Sequence, residues 1–244
     1  MIRQAIIPLA GLGTRLLPLT SVFPKELLPI NGKPGIEYIL DECLDSGIKE
    51  IIFIISKKKE MIRKYFYNDK LFKDVIKKKN DKRIIHEYKK ILRYRKFIKF
   101  VYQNEPKGTG DAVLKTKKYI KDKYFLMLLP DDLITNINCS KEMIKISKNK
   151  NSSVIASMKV KKKDVTRWGI LSKKKKINKN NFFINNIIEK PSVNEAPSNY
   201  AVIGRYILSN ILPLSYLPTW IGITTPIISL ILMIIGFDRR NLIQ

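Results

Sequence analysis

Ala10-Gly11-Leu12-Gly13-Thr14-Arg15 closes a short apolar run, Ala5-Ile6-Ile7-Pro8-Leu9, and is the first segment whose residue types can do chemistry. Two glycines let the backbone bend sharply, so that successive N–H groups face one concavity that suits an anion. Arg15 adds a cation, and Lys25, within Pro24-Lys25-Glu26-Leu27-Leu28-Pro29, adds a second, the pairing needed to neutralise phosphate oxygens. The spacing is neither Gly-x-x-x-x-Gly-Lys-Ser/Thr nor Gly-x-Gly-x-x-Gly. An ordinary P-loop ATPase and a dinucleotide-binding oxidoreductase both lose support. Taken alone, a Gly-x-Gly is equally a tight structural turn.

Three later motifs extend this reading. Leu129-Pro130-Asp131-Asp132 puts two carboxylates at the end of an apolar run, where they suit a hard cation such as Mg2+ or simply end a strand. Gln103, before Asn104-Glu105-Pro106-Lys107-Gly108, offers an amide donor and acceptor that match the edge of a pyrimidine base, and Gly108 lets backbone approach the ring. A polar turn is the plainer reading of that segment. Glu189-Lys190 sets an acid and a base side by side, for a sugar hydroxyl and a phosphate, or for a surface ion pair.

The elements that must position these residues follow from periodicity. Ala5–Leu9 reads as a buried strand, 34–46 as a helix ended by Gly47, and 50–55 as a second, continuously apolar strand. Strand, loop, helix, strand is a right-handed crossover unit with its loop at the carboxyl end of the first strand, where open α/β sheets bind ligands. Residues 57–95 read as basic and helical, with Met61, Ile62, Tyr65 and Phe66 as an inward stripe. Strands are expected at 99–103, 124–129, 153–159, 182–189 and 200–208, and a helix at 111–120. A Lys- and Asn-rich loop is expected to join 159 to 182. The alternation argues for one α/β domain around a mostly parallel sheet.

The formal net charge of +26 invites a search for a nucleic-acid partner. The lysines, however, fall in runs such as Lys57-Lys58-Lys59, Lys77-Lys78-Lys79, 161–163 and 173–176, interleaved with Asn and Ile. All three residue types have AT-rich codons, so coding bias accounts for the excess, and a solvated surface is expected rather than a nucleic-acid site. Cys43 and Cys139, with no secretory segment before the first strand, indicate reduced thiols and a cytoplasmic location. His86, the single histidine, excludes a multi-histidine metal site and is expected to be an exposed bystander.

Taken together, these motifs resemble the bacterial UTP–glucose-1-phosphate uridylyltransferases over residues 5–208. The segments that carry the resemblance are Ala10 to Arg15, Phe23 to Pro29, Lys107-Gly-Thr-Gly-Asp-Ala-Val113, Leu129-Pro-Asp131, Trp168-Gly-Ile170, Ile188-Glu-Lys-Pro191 and Ala196 to Tyr206. The resemblance implies a Rossmann-like nucleotidyltransferase fold, a mixed, mainly parallel sheet covered by helices on both faces. It implies transfer of a uridylyl group from UTP to glucose 1-phosphate. By similarity, Ala10, Gly11, Leu12, Gly13 and Thr14 hold the nucleotide with Glu26 near it, Arg15 and Lys25 face the triphosphate, and Gln103 and Gly108 face uracil. Asp131 matches a Mg2+ ligand, whereas Asp132 matches none. Gly169, Glu189 and Gly204 match positions around the glucose, and Lys190 matches a phosphate-contacting lysine. Thymidylyl transfer is the alternative within the same chemistry.

The resemblance stops near residue 208, which divides the chain into a nucleotidyltransferase domain, 1–208, and an apolar tail, 209–244. From Ile207 to Phe237 there is no charged residue, although 28% of the chain is charged. Three readings compete: a degenerate, truncated end, a divergent core segment, or a membrane span over 219–237, which is long enough at about 1.5 Å per residue. The family's acidic sugar-side segment and its oligomer contacts belong to this region. A homo-oligomer is therefore left open, and so is a non-catalytic nucleotide-binding remnant.

Overall fold

The computed structural model describes residues 1–105, 107–210, 230–234 and 242–243. The elements in order are β1 (Gln4–Pro8), β2 (Pro29–Ile30), β3 (Lys33–Pro34), α1 (Gly35–Asp45), β4 (Glu50–Ile55), α2 (Glu60–Tyr67), α3 (Lys70–Lys79), α4 (Lys82–Arg95), β5 (Ile98–Tyr102), α5 (Gly108–Thr116) and β6 (Tyr124–Leu128). There follow β7 (Leu133–Ile134), α6 (Cys139–Lys150), β8 (Val154–Lys159), β9 (Gly169–Lys176), β10 (Asn181–Glu189), β11 (Tyr200–Ser209), β12 (Leu230–Ile234) and β13 (Leu242–Ile243).

The main sheet runs β5-β4-β1-β6-β11-β8-β12-β10-β9. Its first four strands are mutually parallel, as crossover connections through helices require, and β11, β10 and β9 add antiparallel pairings. The parallel strands share one carboxyl edge, so the segments after β1, β4, β5 and β6 emerge together. The first crossover unit, the α/β class and the mixed sheet all stand as the sequence reading has them.

Alternation along the strands puts helices on both faces. Ile7, Phe53 and Leu128 pack with Ile36, Ile39 and Ile62 on one side, while Ile6, Ile52 and Met127 pack with Ala112 and Val113 on the other. Each Ile, Leu, Val, Phe or Met among them, fully removed from water, contributes roughly 1.5–3 kcal/mol. Behind the first face Arg205 is wholly buried and donates from Nε and Nη2 to Glu42, with Nη2 2.7 Å from Oε2. Ser140 Oγ also donates to Glu42, at 2.5 Å, which ties α1, α6 and β11 together. Cys43 and Cys139 lie beside this pair, both buried and unbridged. Burial, and then the Glu42 charge, push both thiols up.

Three local expectations are corrected. Met61 is exposed, because Ile62, Tyr65 and Phe66 share the inward face at spacings of three and four while Met61 lies one residue off it. Residues 169–176 are not loop: β9 pairs antiparallel with β10, and Lys173 stands 3.6 Å from the centre of the Tyr200 ring. In the run 57–59, read as solvated, Lys59 is buried. Most of the proposed span 219–237 lies outside the described residues; its segment Leu230–Ile234 is β12, between β8 and β10. Among the described residues no helix is long and apolar enough to cross a membrane. His86 is exposed, as expected.

Candidate active site

The loop after β1 turns at Gly13, whose φ of 69° lies in the left-handed region that glycine adopts freely. Thr20 Oγ1 donates to Gly13 O at 2.8 Å, and a Cβ on Gly13 would meet Thr20 Cγ2 at 3.1 Å. The turn therefore has neither the backbone conformation nor the space for a larger residue. It delivers Thr14 and Arg15 to the wall of a cleft of about 690 Å³.

Lys25 joins that wall from a single 3-10 turn, Lys25–Leu27. Its Nζ donates to Asp131 Oδ2 at 2.8 Å. Burial opposes the charge on Asp131, but the hydrogen bond and charge of Lys25, its own backbone N–H and the more distant Arg15 outweigh it. The carboxyl is held below the usual carboxylate range. Glu26 points the other way, since successive residues of a 3-10 turn diverge by a third of a circle. It is 3% exposed, and both its oxygens accept from Lys59 Nζ, at 2.6 and 2.8 Å. Burial lowers the Lys59 pKa despite the opposing pull of Glu26.

The opposite wall comes from the antiparallel strands. Gly169 opens β9 directly across from Glu189, the last residue of β10. A Cβ on Gly169 would come within 3.1 Å of Glu189 Oε2. Lys190 follows with a φ of 46°, a left-handed conformation unusual for lysine, and its N–H donates to Trp168 O at 3.0 Å. Its Nζ stands 4.0 Å from Glu189 Oε1, and both side chains are largely in solvent, so the pair adds little stability. Gly204, on β11, meets the turn after β6: its N–H donates to Asp132 Oδ2 at 2.6 Å, and its carbonyl accepts from Leu129 N–H at 2.8 Å.

The cleft thus brings together Gly13, Thr14, Arg15, Lys25 and Asp131 on one side and Gly169, Glu189, Lys190 and Gly204 on the other. It does not bring in Ala10, Gly11, Leu12, Glu26, Gln103 or Gly108. Ala10 to Leu12 and Gln103 lie at the carboxyl ends of β1 and β5, on the same sheet edge as the cleft. Gln103 is 4% exposed, and its Nε2 donates to Asp111 Oδ2 at 2.6 Å and to Gly108 O at 3.1 Å. Its amide donor is engaged by the first turn of α5, which Gly108 opens with a φ of 88°.

Several lining or supporting residues carried no role in the sequence reading. Arg167 and Tyr206 line the cleft, and Asp132 bridges its two walls. Lys59 was hidden in a lysine run, and only its position one turn before the Ile62/Phe66 stripe hinted at burial. The Glu42–Arg205 pair links residues 163 positions apart, which one sequence does not signal.

The family model for nucleotidyl transferases matches residues 4–216. UTP–glucose-1-phosphate uridylyltransferase 2 of Streptococcus pyogenes serotype M1 is 37% identical over 213 residues, covering 85% of this chain and 71% of that protein. Among solved structures, the UTP-bound UDP-glucose pyrophosphorylase of Acinetobacter baumannii superposes with a TM-score of 0.81 at 29% identity, covering 96% of this chain and 86% of that one. A UDP-glucose pyrophosphorylase complexed with UDP-glucose gives 0.72 at 31% identity, covering 86% and 76%. The chain belongs to the nucleotidyl transferase family, among the UTP–glucose-1-phosphate uridylyltransferases.

Proposed function

We propose that the chain joins UTP and glucose 1-phosphate to give UDP-glucose and pyrophosphate. The observation that carries this reading is the single cleft in which Arg15, Lys25 and Asp131 face Gly169, Glu189 and Lys190. A phosphate oxygen of glucose 1-phosphate attacks the α-phosphorus of UTP in line, and pyrophosphate leaves. Arg15 and Lys25 neutralise the triphosphate, Lys190 draws in the sugar phosphate, and Glu189 accepts hydrogen bonds from sugar hydroxyls. Ala10, Gly11 and Leu12 carry the nucleoside along the sheet edge, with Gln103 and Gly108 toward uracil once the amide of Gln103 turns from Asp111. Glu26 acts from beneath, as the buried support of the Lys25 turn. No protein nucleophile is required, because positioning and charge neutralisation supply the catalysis.

Asp131 fits Mg2+. It is a hard oxygen donor, partly exposed in the cleft, and among the described residues no cluster of three or more acidic, His or Cys side chains forms an all-protein cage. That donor set suits a cation held by one carboxylate plus substrate phosphates. When bound there, Mg2+ supplies charge neutralisation at the phosphate oxygens.

The test is pyrophosphate release from glucose 1-phosphate, comparing UTP with dTTP and wild type with Arg15→Ala. Release with UTP and its collapse in the variant is the expected result. A preference for dTTP reassigns the nucleotide, and tight UTP binding without release makes the chain a non-catalytic binder.

A further inference from the structure

Two adjacent carboxylates, Asp131 and Asp132, lie in the turn between β6 and β7, yet they do different things. Asp131 turns to Lys25. Asp132 turns to the other wall and accepts the Gly204 N–H at 2.6 Å, while Leu129 N–H donates back to Gly204 O at 2.8 Å. The turn that carries Asp131 is thus pinned at both ends to one residue of the sugar-side strand. The pin is itself backed: Arg205 Nη1 donates to Gly204 O at 3.0 Å and to Leu129 O at 3.2 Å, and its other nitrogens are locked on Glu42. No room remains at the junction, since a Cβ on Gly204 would fall 2.6 Å from Leu129 Cβ and 2.7 Å from Asp132 Oδ2.

We propose that Asp132 is a positioning residue that couples the metal-side carboxylate Asp131 to the sugar-side backbone at Gly204, its hydrogen bond to that amide acting with the Leu129–Gly204 bond to set the two half-sites relative to each other. This rests on the uridylyl-transfer reading for its substrates, and on geometry alone for the coupling. Asp132 turns its Oδ2 to the Gly204 amide while Asp131 turns to Lys25 in the cleft, so under this proposal the cation goes to Asp131 and the positioning role to Asp132. Asn at this position keeps an oxygen acceptor for that amide; Ala does not.

The experiment compares Asp132→Asn, Asp132→Ala and Asp131→Asn. Mn2+ binding in the presence of UTP is read by electron paramagnetic resonance, and KM for glucose 1-phosphate by pyrophosphate release. The expected result for Asp132→Asn is Mn2+ affinity and KM within about threefold of wild type. Asp132→Ala is expected to weaken both together by about 10- to 100-fold, the range for loss of a supporting partner of a metal ligand, with metal-free UTP affinity unchanged. Asp132→Asn losing Mn2+ as severely as Asp131→Asn would make Asp132 a ligand and overturn the proposal. So would an Ala variant that melts earlier with normal Mn2+ and sugar dependence. The Asn comparison decides whether Asp132 is a metal ligand even where the Ala variant does not fold. Mn2+ binding and calorimetric binding of glucose 1-phosphate need no turnover, so a wild-type chain that releases no pyrophosphate would refute the activity and still leave the coupling tested.

Discussion

Lys25 bonds Asp131 along one wall of the cleft, Nζ to Oδ2 at 2.8 Å, so a cation from the Lys25–Leu27 turn and a carboxylate from the turn after β6 hold each other in place. The pair is partly solvated, with side chains 23% and 44% exposed, and contributes at most about 1 kcal/mol to folding. Its value lies in charge placement. Lys25→Met is expected to lower kcat by about 10²- to 10³-fold, as loss of a preorganised charge-stabilising group does, with little change in the melting temperature. Steady-state pyrophosphate release and a thermal melt on the same preparation check both halves of this expectation.

The Lys59–Glu26 pair behaves in the opposite way because it is buried. Lys59→Met strands a carboxylate in the interior and is expected to cost about 3–5 kcal/mol of stability. Adding Glu26→Gln to Lys59→Met removes the stranded charge, and most of that loss should return. Urea unfolding of the two variants measures it, and a double variant no more stable than the single one would refute the pairing.

Gly204 has no alternative at its position. Gly204→Ala forces Leu129 and Asp132 apart and is expected to destabilise the chain by about 1–3 kcal/mol through overpacking. Turnover should fall more steeply than stability, since the displaced carboxylate pins the turn that holds Asp131. Unfolding midpoints set beside kcat separate the two effects.

Acid sensitivity is expected away from the cleft. Asp69 accepts from Arg95 and Tyr88 and pairs with Lys73, and these partners, Arg95 first, hold its carboxyl down to about 2. A carboxyl lowered in the folded state adds stability that is complete above its ordinary pKa near 3.9. That stability is lost as the pH falls toward 2. Hydrogen-exchange protection factors over α3 and α4, corrected for the intrinsic rate at each pH, should therefore fall between about pH 4 and pH 2. Asp69→Asn should show the lowered protection already at pH 5 and lose that dependence.

Most of the parallel half of the fold was legible in the sequence because its strands are buried on both faces and read as continuous apolar runs: 50–55 was placed to the residue. β9 was not legible. Its outer half is four lysines, an edge composition that reads as loop until Phe182 and Tyr200 supply aromatic faces for Lys173. Gly13, Arg15, Lys25 and Glu189, singled out in the sequence by type and spacing, all line the cleft. Residues whose importance lies in what they hold were silent: Lys59 looks like its exposed neighbours Lys57 and Lys58, and Asp132 looks like a duplicate of Asp131. Their roles come from long-range partners, Glu26 and Gly204, which local periodicity does not encode.

The environment around Glu42 and Arg205 has a practical consequence at the bench. Both native cysteines are wholly buried beside that pair, with thiols that stay protonated well past neutrality. Thiolate is the reactive form, so maleimides and spin labels will pass them by. A cysteine introduced on either rim of the cleft can then be tagged alone in an otherwise native chain. One tag beside Arg15 and one beside Lys190 would turn the separation of the two walls into a ruler for following substrate capture in real time.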